Sequence, residues 1–434
     1  MYLLVLKAMA KKENQKNIIL FIGTSGSAKK RIPEIKKRKG ERFRYAILLN
    51  STGALTEARK NSLAMFEIIL QTNFKSRKSI AQTLKPYEDE IIAVTCHPES
   101  RIPDLAKIIP HLPYIETPTS ESLMWSVDKL EMRRRFAAYA PEITPKHLVV
   151  NDTTKASIAQ IEKRVGFPLV IKPTGLAASI LVNLVYHTEE LETALRKVFR
   201  RVNKINESYK DDPAKVLVEQ FMEGEMYSLD AYVDAKGKMY FCPMVHIKTG
   251  KSIGFDDFFA YRTITPTQLS NESIEGAHKA ATKAIRALGL RSSTAHVEFI
   301  RTEGRGWNII EVGPRIGGFR DEMYNLSFGI NHVLNDIYIR IAQKPIVRKR
   351  RKGYTAVFKF FAEKEGTITA IKGRQSVQKL KSFHTIDVKK EIGDRATFAK
   401  NGGKSVFNIT LFNPDRSKLF ADIRRMEQMI KIEV

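Results

Sequence analysis

Three short apolar runs constrain the start of this chain: Asn17–Ile22, Arg44–Leu49 and Ile91–Val94. Each has the length of a buried strand, and the first ends in the turn Gly23-Thr-Ser-Gly26. Between the second and third, Leu55 to Gln71 has helical periodicity. Strands that alternate with helices imply a parallel sheet. Residues 17–120 therefore read as a small doubly wound α/β domain, behind a tail of residues 1–16. Gly23-x-x-Gly26 lacks the full G-x-G-x-x-G pattern and its acidic companion, so it does not establish a dinucleotide site.

Four prolines between 100 and 120 read as a linker, followed by one helix from about Thr119 to Tyr139 that carries Lys129 and Arg133-Arg134-Arg135. Residues 121–345 then alternate again, and a division near 212 separates two subdomains. Strands are expected at 168–172, 180–186, 216–221, 226–234, 239–247, 294–301 and 307–312. Helices are expected at 154–165, 188–203, 273–288 and 329–342, with a loop-rich stretch from Lys248 to Ser270. Beyond the charged junction Arg348–Lys352, residues 346–434 read as a separate α+β unit. The fold class is α/β and α+β, multidomain.

Composition narrows the function classes. Two cysteines cannot build a disulfide framework or a four-cysteine zinc site, which fits a reducing cytoplasm. Cys96-His97 follows an apolar run, so it reads as a strand end rather than a nucleophile. No apolar run approaches the ~20 residues that span a bilayer, so no membrane partner is expected. The formal charge is +26, from 73 Lys and Arg against 47 Asp and Glu. Residues 29–44 alone carry nine basic and two acidic residues, so the excess extends into the accessory regions. A nucleic-acid partner is the weaker reading, because aromatic-rich RNA-binding signatures and zinc-ligand spacings are lacking. Arg348–Lys352 is the cluster on which it would rest.

The chemistry centres on the strand pair 294–312. His296 and Glu298 share one strand face, and the turn Glu303-Gly-Arg-Gly306 returns Glu311 alongside. Two adjacent glutamates repel unless paired, and hard oxygen ligands suit Mg²⁺. Arg315 follows in the glycine-bounded turn Gly313–Gly318 and offers a planar fork for phosphate or carboxylate. Upstream, Lys172 ends a strand before the small-residue turn Thr174–Ser179. Glu219-Gln-Phe221-Met222-Glu-Gly-Glu225 is a strand edge followed by a glycine turn.

In this order and spacing, these segments resemble the ATP-grasp superfamily over about residues 120–345. The leading α/β domain is similar to a pre-ATP-grasp domain. The C-terminal unit resembles the small lid-like domain of amino-acid ligases of the dipeptide-synthetase and carnosine-synthase type. The resemblance implies that Lys129 and Lys172 hold ATP phosphates and that Ser179 lies in the phosphate loop. It implies that Glu219, Phe221 and the Met222 backbone border the adenine, that Glu225 binds ribose, and that His246 and Lys248 contact the nucleotide. Glu298 and Glu311 would ligate Mg²⁺, or Mn²⁺, with Arg315 at the transferred phosphoryl group and His296 orienting the intermediate or moving a proton. Arg262 and Arg320 are candidate carboxylate binders. The sequence departs from the family at Gly313, where Asn is common, and in a phosphate loop with few glycines.

The implied activity activates a carboxylate as acyl phosphate and couples it to an amine, giving ADP and phosphate. The partners are a small-molecule carboxylate and an amine, and a homodimer is compatible with the family. The loops at 173–179 and 249–265, with the C-terminal unit, are expected to close over the site. A carboxylase-type or nucleotide-pathway member, or a basic nucleic-acid-binding protein with a degenerate ATP site, are the alternatives. No Met-Lys-Met biotin-carrier segment is present.

Overall fold

The computed structural model describes residues 16–38, 43–50, 53–173, 182–206, 216–255, 257–302, 304 and 306–434. The N-terminal strands β1 (Ile18–Ile22), β2 (Arg44–Asn50), β3 (Ile68–Thr72) and β4 (Ile91–Thr95) form a parallel sheet in the order β3-β2-β1-β4. The stretch expected as a helix from Leu55 to Gln71 holds only a short helix, Glu57–Asn61, and then β3. A three-residue apolar run, Ile68-Ile-Leu, fits either period, and pairing with β2 decides it for strand. The expected linker contains the helix Ile102–Ile108, whose Pro103 sits in the first turn where its missing N–H costs nothing.

The parallel sheet is apolar on both faces. Ile18, Leu20 and Ile22 pack under the helices before residue 128. Ile19 and Phe21 meet Val333, Leu334 and Ile337 of the helix His332–Arg340. Each such buried side chain is worth roughly 1.5–3 kcal/mol, so the N-terminal unit is docked rather than tethered. Thr95 Oγ1 donates to Asp336 at 2.6 Å, and Arg31 Nε to Asp321 at 2.7 Å, across the same seam.

The expected helix from 119 to 139 is two helices, Ser120–Val127 and Lys129–Tyr139, divided at Asp128. The Asp128 carboxylate caps the second helix at Leu130 N and Glu131 N, which fixes Lys129 at its first turn. Four antiparallel strands follow: β5 (His147–Val150), β6 (Leu169–Pro173), β7 (Asn183–Val185) and β8 (Val216–Gln220), in the order β5-β8-β6-β7. Alternation along β6 and β8 buries Leu169, Ile171, Val216 and Val218 in one core. Lys172 and Glu219 therefore lie on the opposite face.

The largest sheet has nine strands. β9 (Glu225–Val233) is central, with β10 (Met239–Phe241) and β11 (Val245–Thr249) beside it. β12 (Ala260–Thr265), β13 (Ser293–Thr302) and β14 (Gly306–Gly313) continue it. β12 lies inside the stretch expected to be loop-rich, and the expected strand 239–247 is broken at Pro243. The single helix expected at 329–342 is preceded by another, Arg320–Phe328.

The C-terminal segment has its own core but continues the nine-stranded sheet. Its first strand, β15 (Tyr354–Phe360), pairs antiparallel with β12 from Arg262↔Phe358 to Thr265↔Thr355. The strands Phe407–Asn413 and Phe383–Val388 extend the same sheet. Missing β12 hid this continuity. Among the described residues, no helix is long and apolar enough to cross a membrane.

Candidate active site

Glu298 and Glu311 sit directly opposite each other in the β13–β14 register. Desolvation and the nearby Glu99 and Glu298 carboxylates push the Glu311 carboxyl up, against the pull of Lys129. Burial would also raise Glu298, but His296, Arg320 and Arg315 bring it down to about 2. Lys129 Nζ is 3.5 Å from Glu311 Oε2. Arg315 forms a hydrogen-bonded ion pair with Glu99, which follows β4 of the N-terminal sheet. The structure thus brings Lys129, Glu298, Glu311, Arg315 and His296 together and adds Glu99.

Asp230 organises the back of this cluster. Its Oδ1 is 2.6 Å from His296 Nδ1, and its Oδ2 is 2.5 Å from His332 Nε2. The Gly317 N–H also donates to Oδ2 at 2.7 Å. The remaining nitrogen of His296, Nε2, lies 3.3 Å from Glu298 Oε1. Asp230 thereby ties the glutamate strand to the Arg315 turn. The contact needs glycine at 317, since a Cβ there would lie 2.4 Å from His296 Nδ1. His296 is nearly buried, and the Asp230 carboxylate outweighs that burial to raise its pKa. Its geometry is that of a side chain orienting Glu298.

The facing wall is the four-stranded sheet. Lys172 Nζ donates to Glu219 Oε2 at 2.6 Å, and Arg133 Nε to Glu219 Oε1 at 2.5 Å. Arg133 also reaches the Ile310 carbonyl at 2.7 Å, so one helix joins Lys129 at Glu311 to Arg133 at Glu219. Burial alone would raise the Glu219 carboxyl, but the two cations hold it well below the usual range. Glu219 is therefore first a holder of Lys172.

Phe221–Gly224 connects β8 in one sheet to β9 in the other. The Phe221 N–H donates to the Pro168 carbonyl at 2.9 Å, and its ring lies 6.3 Å from Phe258. Met222 is half-buried in this crossover. Gly224 has φ +149°, and a Cβ there would meet the Arg301 carbonyl at 2.2 Å, so this turn excludes side chains. Beyond it, Glu225 is hydrogen-bonded to His246. Lys248 is aligned with Arg262 on β12. Arg262 lies with its guanidinium 5.9 Å from the Phe420 ring. Arg320 is buried and bound to Ser228 Oγ at 2.7 Å, beneath the site rather than open to it. Ser179 and the rest of 174–181 lie outside the described residues. Cys96 is buried, and burial pushes its thiol up to about 12, which suits packing rather than nucleophilic attack.

Glu99, Arg133 and Asp230 were missed from sequence. Glu99 follows the C-terminal end of a parallel strand, where ligand loops gather. Arg133 lies one helical turn after Lys129. Asp230 carried no motif signal; its importance comes from the pairing His296↔Asp230.

A cleft between two antiparallel sheets, with Lys172 on one wall and Glu298 and Glu311 on the other, is the arrangement that the resemblance to the ATP-grasp superfamily implies. Residues 165–322 match the model of the ATP-grasp domain family. Over 209 residues the chain is 32% identical to the alanine–anticapsin ligase of Bacillus amyloliquefaciens. That match takes in 44% of this chain and spans 42% of that relative's length. The crystal structure of an L-amino acid ligase from Bacillus licheniformis is similar over 96% of this chain and 99% of its own, with TM-score 0.74 at 19% identity. An N5-carboxyaminoimidazole synthetase from Staphylococcus aureus, complexed with ADP, is similar over 95% and 97%, with TM-score 0.69 at 13% identity. At these identities the two structures show a shared fold.

Proposed function

We propose that this protein is an ATP-dependent carboxylate–amine ligase that activates an amino acid as acyl phosphate and couples it to an amine. The observation that carries the reading is the register-opposed Glu298–Glu311 pair with Arg315 and Lys129 beside it. The similarity to an alanine–anticapsin ligase supports an amino acid as the carboxylate.

Lys172, held by Glu219, and Lys129 bind the ATP phosphates, and Arg315 steadies the oxygens of the transferred phosphoryl group. Glu225 and His246 border the ribose, and the Phe221–Met222 crossover borders the adenine. Glu298 and Glu311 fit a Mg²⁺ ion, because their oxygens are hard donors and their mutual repulsion would be relieved. Among the described residues, no three His, Cys, Asp or Glu side chains form a metal cluster, so these two carboxylates would share the ion with phosphates and water. When bound, the ion neutralises charge on the phosphoryl oxygens.

The substrate carboxylate attacks the γ-phosphorus and ADP leaves; the amine then attacks the acyl carbon, and inorganic phosphate leaves as the amide forms. Asp230, through His296 and Gly317, keeps Glu298 and the Arg315 turn in place during these steps. Phosphate release from Mg-ATP, measured against a matrix of amino acids and amines with Glu311→Ala as control, tests the reading. Release that needs both an amino acid and an amine is expected. Absence of release with every carboxylate would refute it.

A further inference from the structure

A pocket of about 580 Å³ adjoins the candidate site, between the N-terminal sheet, the turn after β14 and the C-terminal strands of the nine-stranded sheet. Ser25 and His97 line it together with Arg315 and Glu99. Ser25 follows the turn after β1 and caps the helix Gly26–Lys36, its Oγ accepting from the Ala28 N–H at 3.1 Å. His97 stands just past β4, two residues before the Glu99 that pairs with Arg315. Ser25 Oγ is 3.0 Å from His97 Nδ1, and His97 Nε2 is 3.3 Å from Asp336 Oδ2. Serine, histidine and aspartate thus form one chain of hydrogen bonds that runs from the pocket into the seam behind the N-terminal sheet.

The direction of each bond follows from its partners. Burial alone would raise the Asp336 carboxyl, but Arg340 and His97 hold it well below the usual range. An ionised carboxylate only accepts, so Nε2 carries the His97 proton. Nδ1 is then a lone pair, and Ser25 Oγ donates to it. Thr95, Thr294 and Arg340 bind the Asp336 carboxylate from three sides, and the Phe21 ring meets the imidazole edge-on. His97 is nearly buried, so half-buried Ser25 is its outlet to the pocket. The acids of the lining are already engaged. Glu99 is paired with Arg315, Glu322 with Lys30 and His384, Asp387 with Lys389, and Asp321 is buried against Arg31. Among the described lining residues, His97 Nδ1 is the basic atom that no cation holds.

We propose that Ser25 and His97 take the proton that the attacking amine must lose. The inference rests on the ligase reading and assigns a step which that reading leaves open. An amino group arrives as ammonium, with no lone pair for the acyl carbon. It gives one proton to Ser25 Oγ while Ser25 passes its own to His97 Nδ1. The imidazolium so formed lies between Ser25 and the Asp336 carboxylate. The freed amine attacks, the carbon–nitrogen bond forms and the carbon–oxygen bond to phosphate breaks. The second amine proton leaves with hydrogen phosphate, and His97 returns its proton to water through Ser25 once the products depart. Ser25 is the group that meets the amine, and His97 and Asp336 act through it.

Hydroxylamine provides the test, because it is uncharged near neutral pH and attacks an acyl phosphate without first losing a proton. Amide and hydroxamate are measured in parallel, across the same matrix of amino acids and amines used for phosphate release. His97→Gln is expected to lower the ratio of amide to hydroxamate about a hundredfold, as for loss of a general base. Ser25→Ala is expected to lower that ratio about tenfold or more. Ser25→Thr keeps the hydroxyl and the helix cap, and is expected to hold the ratio within about threefold of wild type. A chain of bonds that only ties the seam together would depress both products equally, and an unmoved ratio overturns the inference. Amide formation at the wild-type rate in His97→Gln overturns it as well. Folding is checked by Tm. If His97→Gln does not fold, the comparison of Ser25→Ala with Ser25→Thr decides, and equal ratios in the two overturn the inference. A wild-type protein that makes neither product refutes the ligase reading, and the inference with it.

Discussion

On the four-stranded wall one buried carboxylate, Glu219, serves two cations, Arg133 and Lys172. On the nine-stranded wall Glu298 and Glu311 face each other with Glu99 nearby, and the cations are divided among three acids. The first wall is left with unspent positive charge and a carboxyl held low. On the second, burial and the neighbouring carboxylates push the Glu311 carboxyl up. One wall is therefore prepared for an anion and the other for a cation. A phosphate chain with a divalent ion is a ligand that answers both at once.

The contrast breaks most sharply at Glu311. Glu311→Ala is expected to lower phosphate release by about a thousandfold or more, yet leave Tm equal or higher, since it removes a repelled charge. A calorimetric melt beside the assay checks both halves. A large loss of Tm would mean that Glu311 is a structural ion-pair partner.

Glu219 should behave in the opposite way. Glu219→Gln leaves Arg133 buried without its counter-charge and is expected to cost about 3–5 kcal/mol in urea unfolding. Its folded pKa lies below its unfolded value of about 4.3. The stabilisation it gives is therefore complete above that value and is lost as pH falls toward the folded pKa. Between pH 6 and pH 3 the wild-type Tm should fall more steeply than that of the variant. Equal slopes would show that the pair carries no net stability.

Asp230 joins the two problems. Asp230→Asn is expected to lower kcat about ten- to a hundredfold while changing KM for ATP little, because it loosens Glu298 and the Arg315 turn without touching Lys129 or Lys172. A loss carried by KM for ATP would argue against that role. The smallest effect is expected at Gly313. A Cβ there meets Arg315 at an ordinary 3.6 Å, so Gly313→Asn fits. It would add a hard oxygen and tighten the Mg²⁺ requirement of turnover a few-fold, read from a Mg²⁺ titration. No change would place the Asn side chain away from the ion.

Much of this arrangement was legible in the sequence, for identifiable reasons. The opposed glutamates follow from strand alternation and a short turn, both local. The Lys172 strand and the Glu219 strand carry continuous apolar patterns that hide little. What escaped is non-local. β3 and β12 are short runs whose state is set by their neighbours, β2 on one side and β11 and β15 on the other. Glu99 and Asp230 gain their meaning from partners 216 and 66–102 residues away. No window along the chain contains both ends of such contacts.

The continuity of β12 with β15 bears on how the cleft opens. A segment woven into the same sheet as Glu298 cannot swing as a lid without tearing main-chain hydrogen bonds. The chain passes between the two sheets through the four-residue crossover Phe221–Gly224, which leaves the four-stranded wall with Lys172 outside that continuous sheet. A chain shortened before residue 354 would lose more than a cover. It would bare the β12 edge as an open row of backbone donors and acceptors, a surface that invites strand-to-strand aggregation.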